Sequence, residues 1–171
     1  MIRSLFARLT GEPRRGQALF DLAVSEARRP HWFVEGQVPD TLNGRFAVLA
    51  TIVALLTVRL EREGDEGQQA SVALTERLVE SLDTEIREMG LGDPTLGKQV
   101  RKLVGAVSGR VERWQSLTGS DGSWNDEVRQ SLYLGEDADA AAVAHSESEL
   151  RRLWERFATA SVEQLAKGRM E

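Results

Sequence analysis

The sequence predicts an all-α fold, a single-domain bundle of about six helices around a buried central helix. Apolar residues recur at helical spacing along most of the chain, and residues 46–60 are apolar on almost every side. No segment shows convincing strand alternation. With 171 residues, the chain is long enough for one domain with a sizeable core.

A short amphipathic arm is predicted at residues 1–12, followed by a single helical domain at residues 13–171. One helical face of the arm carries four apolar residues, Ile2, Leu5, Phe6 and Leu9. We expect the arm to dock on its own domain, and contact with an anionic membrane is the alternative. The first helix of the domain is predicted from near Arg14 to Arg28, where Pro30 stops it.

The loop at residues 30–41 contains the aromatic pair Trp32 and Phe33 between prolines and a glycine. Because large rings are costly to leave in water, we expect both to pack under the loop. Exposure to a partner is the second interpretation.

The central helix is predicted at residues 46–60, which hold nine large apolar residues and no charge before Arg59. The run is too short to span a bilayer. Leaving it in water would forfeit on the order of 10 kcal/mol, comparable to the whole stability of a domain. Either the core therefore covers both faces, or one face is kept for another protein.

A helix hairpin is predicted at residues 82–102. Gly90 suits a helix end that needs positive φ, Asp93 can cap the next helix, and Pro94 fits its first turn.

Residues 61–69 are predicted to be a flexible connection before this hairpin. In its second helix, Gly97, Gly105 and Gly109 are expected to permit close backbone approach. A short helix after residue 123 and an amphipathic helix near residues 150–165 complete the bundle.

The segments on the two sides of the predicted hairpin turn carry opposite charge. Residues 61–93 have a net charge of −7 and residues 96–114 a net charge of +4. Solvated faces that attract weakly are the simpler interpretation. The sharper interpretation is a basic docking face, formed by Lys98, Arg101, Lys102, Arg110 and Arg113. The overall charge of −5 argues against general DNA binding.

No catalytic, metal or cofactor site is predicted. The chain has no cysteine, and His31 and His145 stand alone in the sequence. Residues 92–99 come close to a phosphate-binding glycine loop, but a helix precedes them and Gln99 replaces the metal-binding hydroxyl. Helix capping explains these residues better.

Two blocks of residues resemble the ubiquinol–cytochrome c chaperone family, over about residues 20–133. The first contains Pro39, Asp40, Thr41, Gly44 and Arg45. The second contains Arg87, Glu88, Gly90, Gly92, Asp93 and Lys98. The chain departs from the family at Ile52, where a histidine is common, and at Val107 and Ser108, where an aromatic pair is common.

The resemblance implies an all-helical, non-enzymatic assembly factor for the bc1 complex that binds newly made cytochrome b. A ribosome contact, a second assembly factor and peripheral membrane contact are further expected partners, at the bacterial inner membrane or the mitochondrial matrix side. We expect partner binding by Trp32, Phe33, Arg45, Arg87, Lys98, Arg101, Lys102, Arg110 and Arg113. Architectural roles are expected for Pro39, Asp40, Thr41, Gly44, Glu88, Gly90, Gly92 and Asp93. A membrane-peripheral scaffold or a ribosome-associated adaptor without a cytochrome b client is the alternative.

Overall fold

The fold is built from α-helices, as the sequence predicts. A computed structural model describes residues 14–88, 90, 93–120 and 122–170, with no side-chain description at residues 93 and 94. Its helices are α1 (Gln17–Ala27), α2 (Leu42–Leu60), α3 (Gly64–Glu88), α4 (Asp93–Leu117), α5 (Asn125–Leu132), α6 (Ala140–Thr159) and α7 (Val162–Ala166). Short 3-10 turns at Pro30–Trp32 and Glu61–Glu63 stand on either side of α2, and no strand occurs in these ranges. The predicted arm at residues 1–12 lies outside them.

Helix α2 is the centre of the bundle. It packs against α1, α3, α4, α5 and α6, and every residue from 50 to 60 is buried. An 18-residue window in Leu42–Glu88 is apolar enough by composition to cross a membrane, but 72% of it is buried inside the fold. The apolar character of α2 is therefore explained mainly by its position in a protein core.

Helices α3 and α4 pack against each other and against α2, which is the predicted hairpin. The stripe on α3 is buried at Leu74, Leu78, Leu82 and Ile86. On α4, Leu96, Val107 and Trp114 are buried. Gly90 has a φ of 78°, as expected for a glycine that ends a helix.

The prediction of a flexible connection at residues 61–69 is wrong, because α3 already begins at Gly64. Asp65 and Glu66 lie in its first turn, where negative charge favours the helix N-terminus. Gly67 allows the turn to pack tightly, since a Cβ there would collide with the carbonyl of Leu60. The acidic and glycine-rich composition thus marks a helix start.

The expected close approach at the glycines of α4 is also wrong. A Cβ on Gly105 would meet open space, and at Gly97 and Gly109 it would meet only arginine side chains of α4 itself. Close packing occurs instead at Gly16, where a Cβ would lie 2.7 Å from the carbonyl oxygen of Ala73, and where φ is +80°.

The C-terminal helix starts earlier and ends earlier than expected. Helix α6 begins at Ala140, about ten residues before the predicted start, and breaks at Ala160, whose ψ of 140° is extended. Ser161 then caps α7 through a capping box with Gln164. Two helices therefore replace the single predicted one.

Candidate functional site

A groove of about 1060 Å³ opens on the part of the chain that the structure describes, and we call it the α1–α3 groove. Helix α1, the loop before α2, the first half of α2 and the second half of α3 form its walls. Its apolar lining consists of Phe20, Val24, Ala27, Pro30, Phe33, Val34, Leu42, Phe46, Leu49, Leu78 and Leu82. The volume exceeds the roughly 300–1,000 Å³ of small-molecule pockets.

Part of this apolar lining is left open to water. Val34 and Leu42 are 66% and 59% exposed at the edge of the groove, and Phe33, Phe46 and Leu49 are half-buried. Apolar side chains gathered around one concavity, with exposed members at its edge, are typical of a protein interaction site. One face of α2 is thus only partly covered by the rest of the fold.

The segment from Pro39 to Arg45 sets the geometry at the start of α2. Thr41 caps the helix by accepting a hydrogen bond from the Gly44 amide at 3.2 Å. A Cβ at position 44 would collide with the carbonyl of Pro39, so this turn needs glycine. These contacts support the expected architectural roles of Pro39, Thr41 and Gly44.

Asp40 and Arg45 form an ion pair on the wall of the groove, with 2.6 Å between Arg45 Nε and Asp40 Oδ1. The hydrogen bond from Arg45 lowers the pKa of Asp40, and the same bond raises the pKa of Arg45. Both side chains are exposed. The pair fixes charged groups beside the apolar lining, and Arg45 remains accessible to a partner.

The prediction that Trp32 contacts a partner is corrected by its burial. Its ring is 1% exposed, and its indole Nε1 donates to the carbonyl oxygen of Glu26 at 2.9 Å. The Tyr133 hydroxyl holds the same loop by donating to the carbonyl oxygen of Gly36 at 2.6 Å, and burial raises the pKa of Tyr133. Trp32 therefore supports the groove from beneath, as the packing interpretation expects, whereas Phe33 lines it.

Of the five residues predicted to form a basic docking face, Arg110 is buried. Arg110 is 5% exposed, donates to the carbonyl oxygen of Ser131 at 2.8 Å, and has its pKa lowered by burial. It therefore offers no surface to a partner. Arg113 is engaged by the buried carboxylate of Glu127 at 2.8 Å. Lys98, Arg101 and Lys102 are exposed and form what we call the α4 basic cluster.

The residues at the turn from α3 to α4 lie in two different environments. Arg87 pairs with Asp83 at 2.8 Å, one helical turn earlier on α3. Glu88 is exposed and lines the groove, together with Glu85. Gly92 and the Asp93 side chain lie outside the description, so their predicted roles stay predictions. The second block of the sequence thus contributes both to the hairpin and to the groove.

The described residues contain no group of three or more His, Cys, Asp or Glu side chains placed to hold a metal ion. His31 and His145 do meet, with 3.3 Å between His145 Nε2 and His31 Nδ1, although 114 residues separate them in sequence. Burial is the largest effect on His31 and lowers its pKa. The pair joins the groove loop to α6.

Several lining residues were not identified as site residues from the sequence, notably Val24 on α1 and Leu78, Leu82 and Glu85 on α3. The signal available was the unusually broad apolar face of α1, formed by Phe20 and Val24 beside the expected core positions. Helical spacing alone does not separate a residue that lines a groove from one that fills a core.

The sequence profile described as ubiquinol-cytochrome C chaperone matches residues 34–171, which include the start of α2 and the α3–α4 corner. The fold is similar to the crystal structure of the Cbp3 homolog from Brucella abortus, with a TM-score of 0.76 and 23% sequence identity. That match covers 98% of this chain and 94% of the other. No functionally curated protein gives a significant sequence match.

Proposed function

The chain belongs to the ubiquinol-cytochrome C chaperone family, and on this premise we propose that it binds newly made cytochrome b in the α1–α3 groove. By doing so it supports assembly of the respiratory ubiquinol–cytochrome c reductase, the bc1 complex. Family membership implies a non-enzymatic role. We place the protein in the bacterial cytoplasm beside the inner membrane, or on the matrix side in a mitochondrion.

The observation that carries this proposal is the open apolar lining of the groove. Cytochrome b is a membrane protein, so before assembly it presents apolar helices that need cover from water. A helix laid into an apolar groove is one of the common modes of peptide recognition. Phe33, Phe46 and Leu49 supply rings and branched chains at the centre of such a contact.

We propose a second contact surface at the α4 basic cluster. Lys98, Arg101 and Lys102 are exposed on α4, whereas the apolar lining of the groove comes from α1, α2, α3 and the loop before α2. Clustered positive charge attracts anionic surfaces such as ribosomal RNA, and this attraction weakens with salt. Lys98→Glu with Lys102→Glu should therefore weaken ribosome or client capture, with unchanged thermal unfolding. Equal capture by this variant would show that the α4 basic cluster does not contribute to binding.

The test of the main proposal is co-purification from cells with and without the cytochrome b gene. Phe46→Asp places a charge in the groove, and Val72→Asp places the same charge at a position that is 55% exposed on α3 and does not line it. We expect Phe46→Asp to lose cytochrome b and to lower the bc1 level, and Val72→Asp to retain both. Retention of cytochrome b by Phe46→Asp, with the protein folded, would contradict the proposal.

The competing function is a ribosome-associated adaptor without this client, which the α4 basic cluster favours. It predicts ribosome co-sedimentation that depends on Lys98 and Lys102 and is the same in cells without cytochrome b. It also predicts a normal bc1 level when the groove is altered. The two functions are thus separated by the groove variant.

A further inference from the structure

We propose that residues 1–9 of this chain occupy the α1–α3 groove when no client is bound, and that a client has to displace them. The displacement step rests on the proposed function, whereas the occupancy itself does not. Three features support the occupancy: the chemistry of the segment, the place where the described chain begins, and the charge around the groove.

The segment has the composition of a groove ligand. Its four large apolar residues, Ile2, Leu5, Phe6 and Leu9, follow helical spacing, and Arg3 and Arg8 stand between them. In a helix they would form one apolar face, and amphipathic helices of this kind bind apolar grooves through residues at such spacing. The lining of the groove supplies the matching apolar surface.

The described chain begins beside the groove. Arg14 Nη1 lies 3.1 Å from Glu80 Oε2 on α3, and the next residue, Ser81, lines the groove. Gly16 fixes this start, because its backbone packs closely against Ala73. The five steps from residue 14 back to residue 9 can span about 17 Å when extended, which is enough to bring the segment over the groove.

The charge around the groove favours a basic occupant. Asp21, Glu85 and Glu88 line it, and among the described residues no ion pair neutralises them. Asp40 is matched by Arg45, which leaves Arg28 as the unmatched cation of the lining. Three carboxylates without a described ion pair therefore line the groove proposed for a segment that carries Arg3 and Arg8. Asp21 accepts a hydrogen bond from the neutral Gln17 side chain, which leaves its charge in place. Complementary charge of this kind selects partners.

The absence of cysteine makes occupancy directly measurable, because Leu5→Cys creates a single labelling site. We would attach benzophenone maleimide to this cysteine, irradiate the full-length protein, and map the crosslinks by mass spectrometry. We expect crosslinks within the same chain to groove residues such as Phe46 and Leu82. The same probe on Val72→Cys, outside the groove, controls for general reactivity.

Crosslinks from position 5 to other surfaces would overturn the proposal. Mixing isotopically light and heavy chains detects a second occupant, since crosslinks between two chains would assign the groove to another copy. Replacing Glu85 and Glu88 by arginine should reduce the crosslinks within the chain severalfold. Unchanged yields in that variant would also contradict it, because the charge argument would then be wrong.

Displacement is tested with a fluorescein-labelled peptide from an apolar helix of cytochrome b. Deleting residues 1–9, or introducing Arg3→Glu with Arg8→Glu, should raise the affinity about tenfold, because the peptide no longer competes with the segment. Equal affinity for all three proteins would refute displacement. If no peptide binds to any of them while the crosslinks persist, the proposed function fails and the occupancy stands.

Discussion

The two halves of α2 differ in how the fold covers them. From residue 50 to residue 60 every side chain is buried, and α4, α5 and α6 surround the helix. From residue 42 to residue 49 the helix carries exposed residues, and Phe46 and Leu49 face the groove half-buried. One continuous apolar helix thus lies in the core at one end and lines an open groove at the other.

Buried hydrogen bonds hold the helices around the covered half of α2, residues 50–60. The guanidinium of Arg59 donates to the carbonyl oxygens of Phe157 and Ala160, each at 2.9 Å. On the opposite side, Trp114 donates to the Ser131 hydroxyl at 3.2 Å. These bonds tie α6 to α2 and α5 to α4, so they hold two of the helices that pack against α2.

Beside the open half of α2, residues 42–49, the loop before α2 is held in place by buried hydrogen bonds. Trp32 and Tyr133 anchor the loop to the backbone of α1 and to α6, and Tyr133 Oη also lies 2.9 Å from Ser146 Oγ. The loop held in this way lines the groove beside Phe46 and Leu49. The two halves show that an apolar groove can form where part of a core helix is left uncovered.

The largest expected effect is on the covered half. Trp114→Ala should lower the free energy of unfolding by about 3–5 kcal/mol, because the ring is fully buried and its loss leaves a cavity. Urea unfolding followed by circular dichroism measures this. Trp154→Ala, at a half-buried ring, is the matched control and should cost less. Similar losses for both would show that the burial of the ring does not determine the loss of stability.

A loss of similar size is expected from Arg59→Met. The substitution keeps much of the side-chain length but leaves the carbonyl oxygens of Phe157 and Ala160 without their donor, which costs about 1–3 kcal/mol for each buried group left unpaired. Arg62→Met, at an exposed arginine, is the control. If both variants unfold at the same urea concentration, the last helices are not held by these bonds.

In the open half we expect an effect on binding larger than that on stability. Phe33→Ala removes a half-buried ring from the groove and should weaken binding of a cytochrome b peptide about tenfold, equivalent to about 1.4 kcal/mol. Its loss of stability should be below that of Trp114→Ala. Fluorescence anisotropy and urea unfolding of the same preparation give the two values. A variant that loses stability but keeps affinity would assign Phe33 to the core.

The smallest expected effect concerns pH. Burial lowers the pKa of His31, with Glu149 and Glu35 opposing this shift and His145 and Arg29 adding to it. Below its ordinary pKa of 6.5 the unfolded chain takes up protons that the folded chain resists, so stability falls as the pH drops from about 6.5 through the lowered pKa. His31→Gln should flatten this part of the pH profile. An unchanged profile would mean that the burial of His31 does not contribute to the pH dependence of stability.

The helix pattern and the family were predictable from the sequence because they depend on local features. The spacing of Leu74, Leu78 and Leu82 identifies α3, and the positive φ at Gly90 follows from the need to end it. The resemblance carried by Asp40, Gly44 and Arg45 agrees with the family profile. Each of these signals is contained within a few turns of the chain.

The groove was predictable only in part because burial is decided by distant segments. Trp32 and Phe33 are neighbours in sequence, yet one is a buried anchor and the other lines the groove. Arg110 was grouped with exposed cations, but its partner is a carbonyl 21 residues further on. The helix start at Gly64 was missed because glycines and acids there also fit a loop. Such choices depend on tertiary packing.

Binding of cytochrome b in the α1–α3 groove can be tested by site-specific photo-crosslinking in growing cells that make the bc1 complex. A photoreactive amino acid at Leu49 reports on the groove, and the same amino acid at Val72 reports on an exposed apolar position outside it. If the groove binds cytochrome b, we expect a cytochrome b adduct from position 49 and none from position 72. An adduct from position 72 alone, or no cytochrome b adduct from either position, would contradict it.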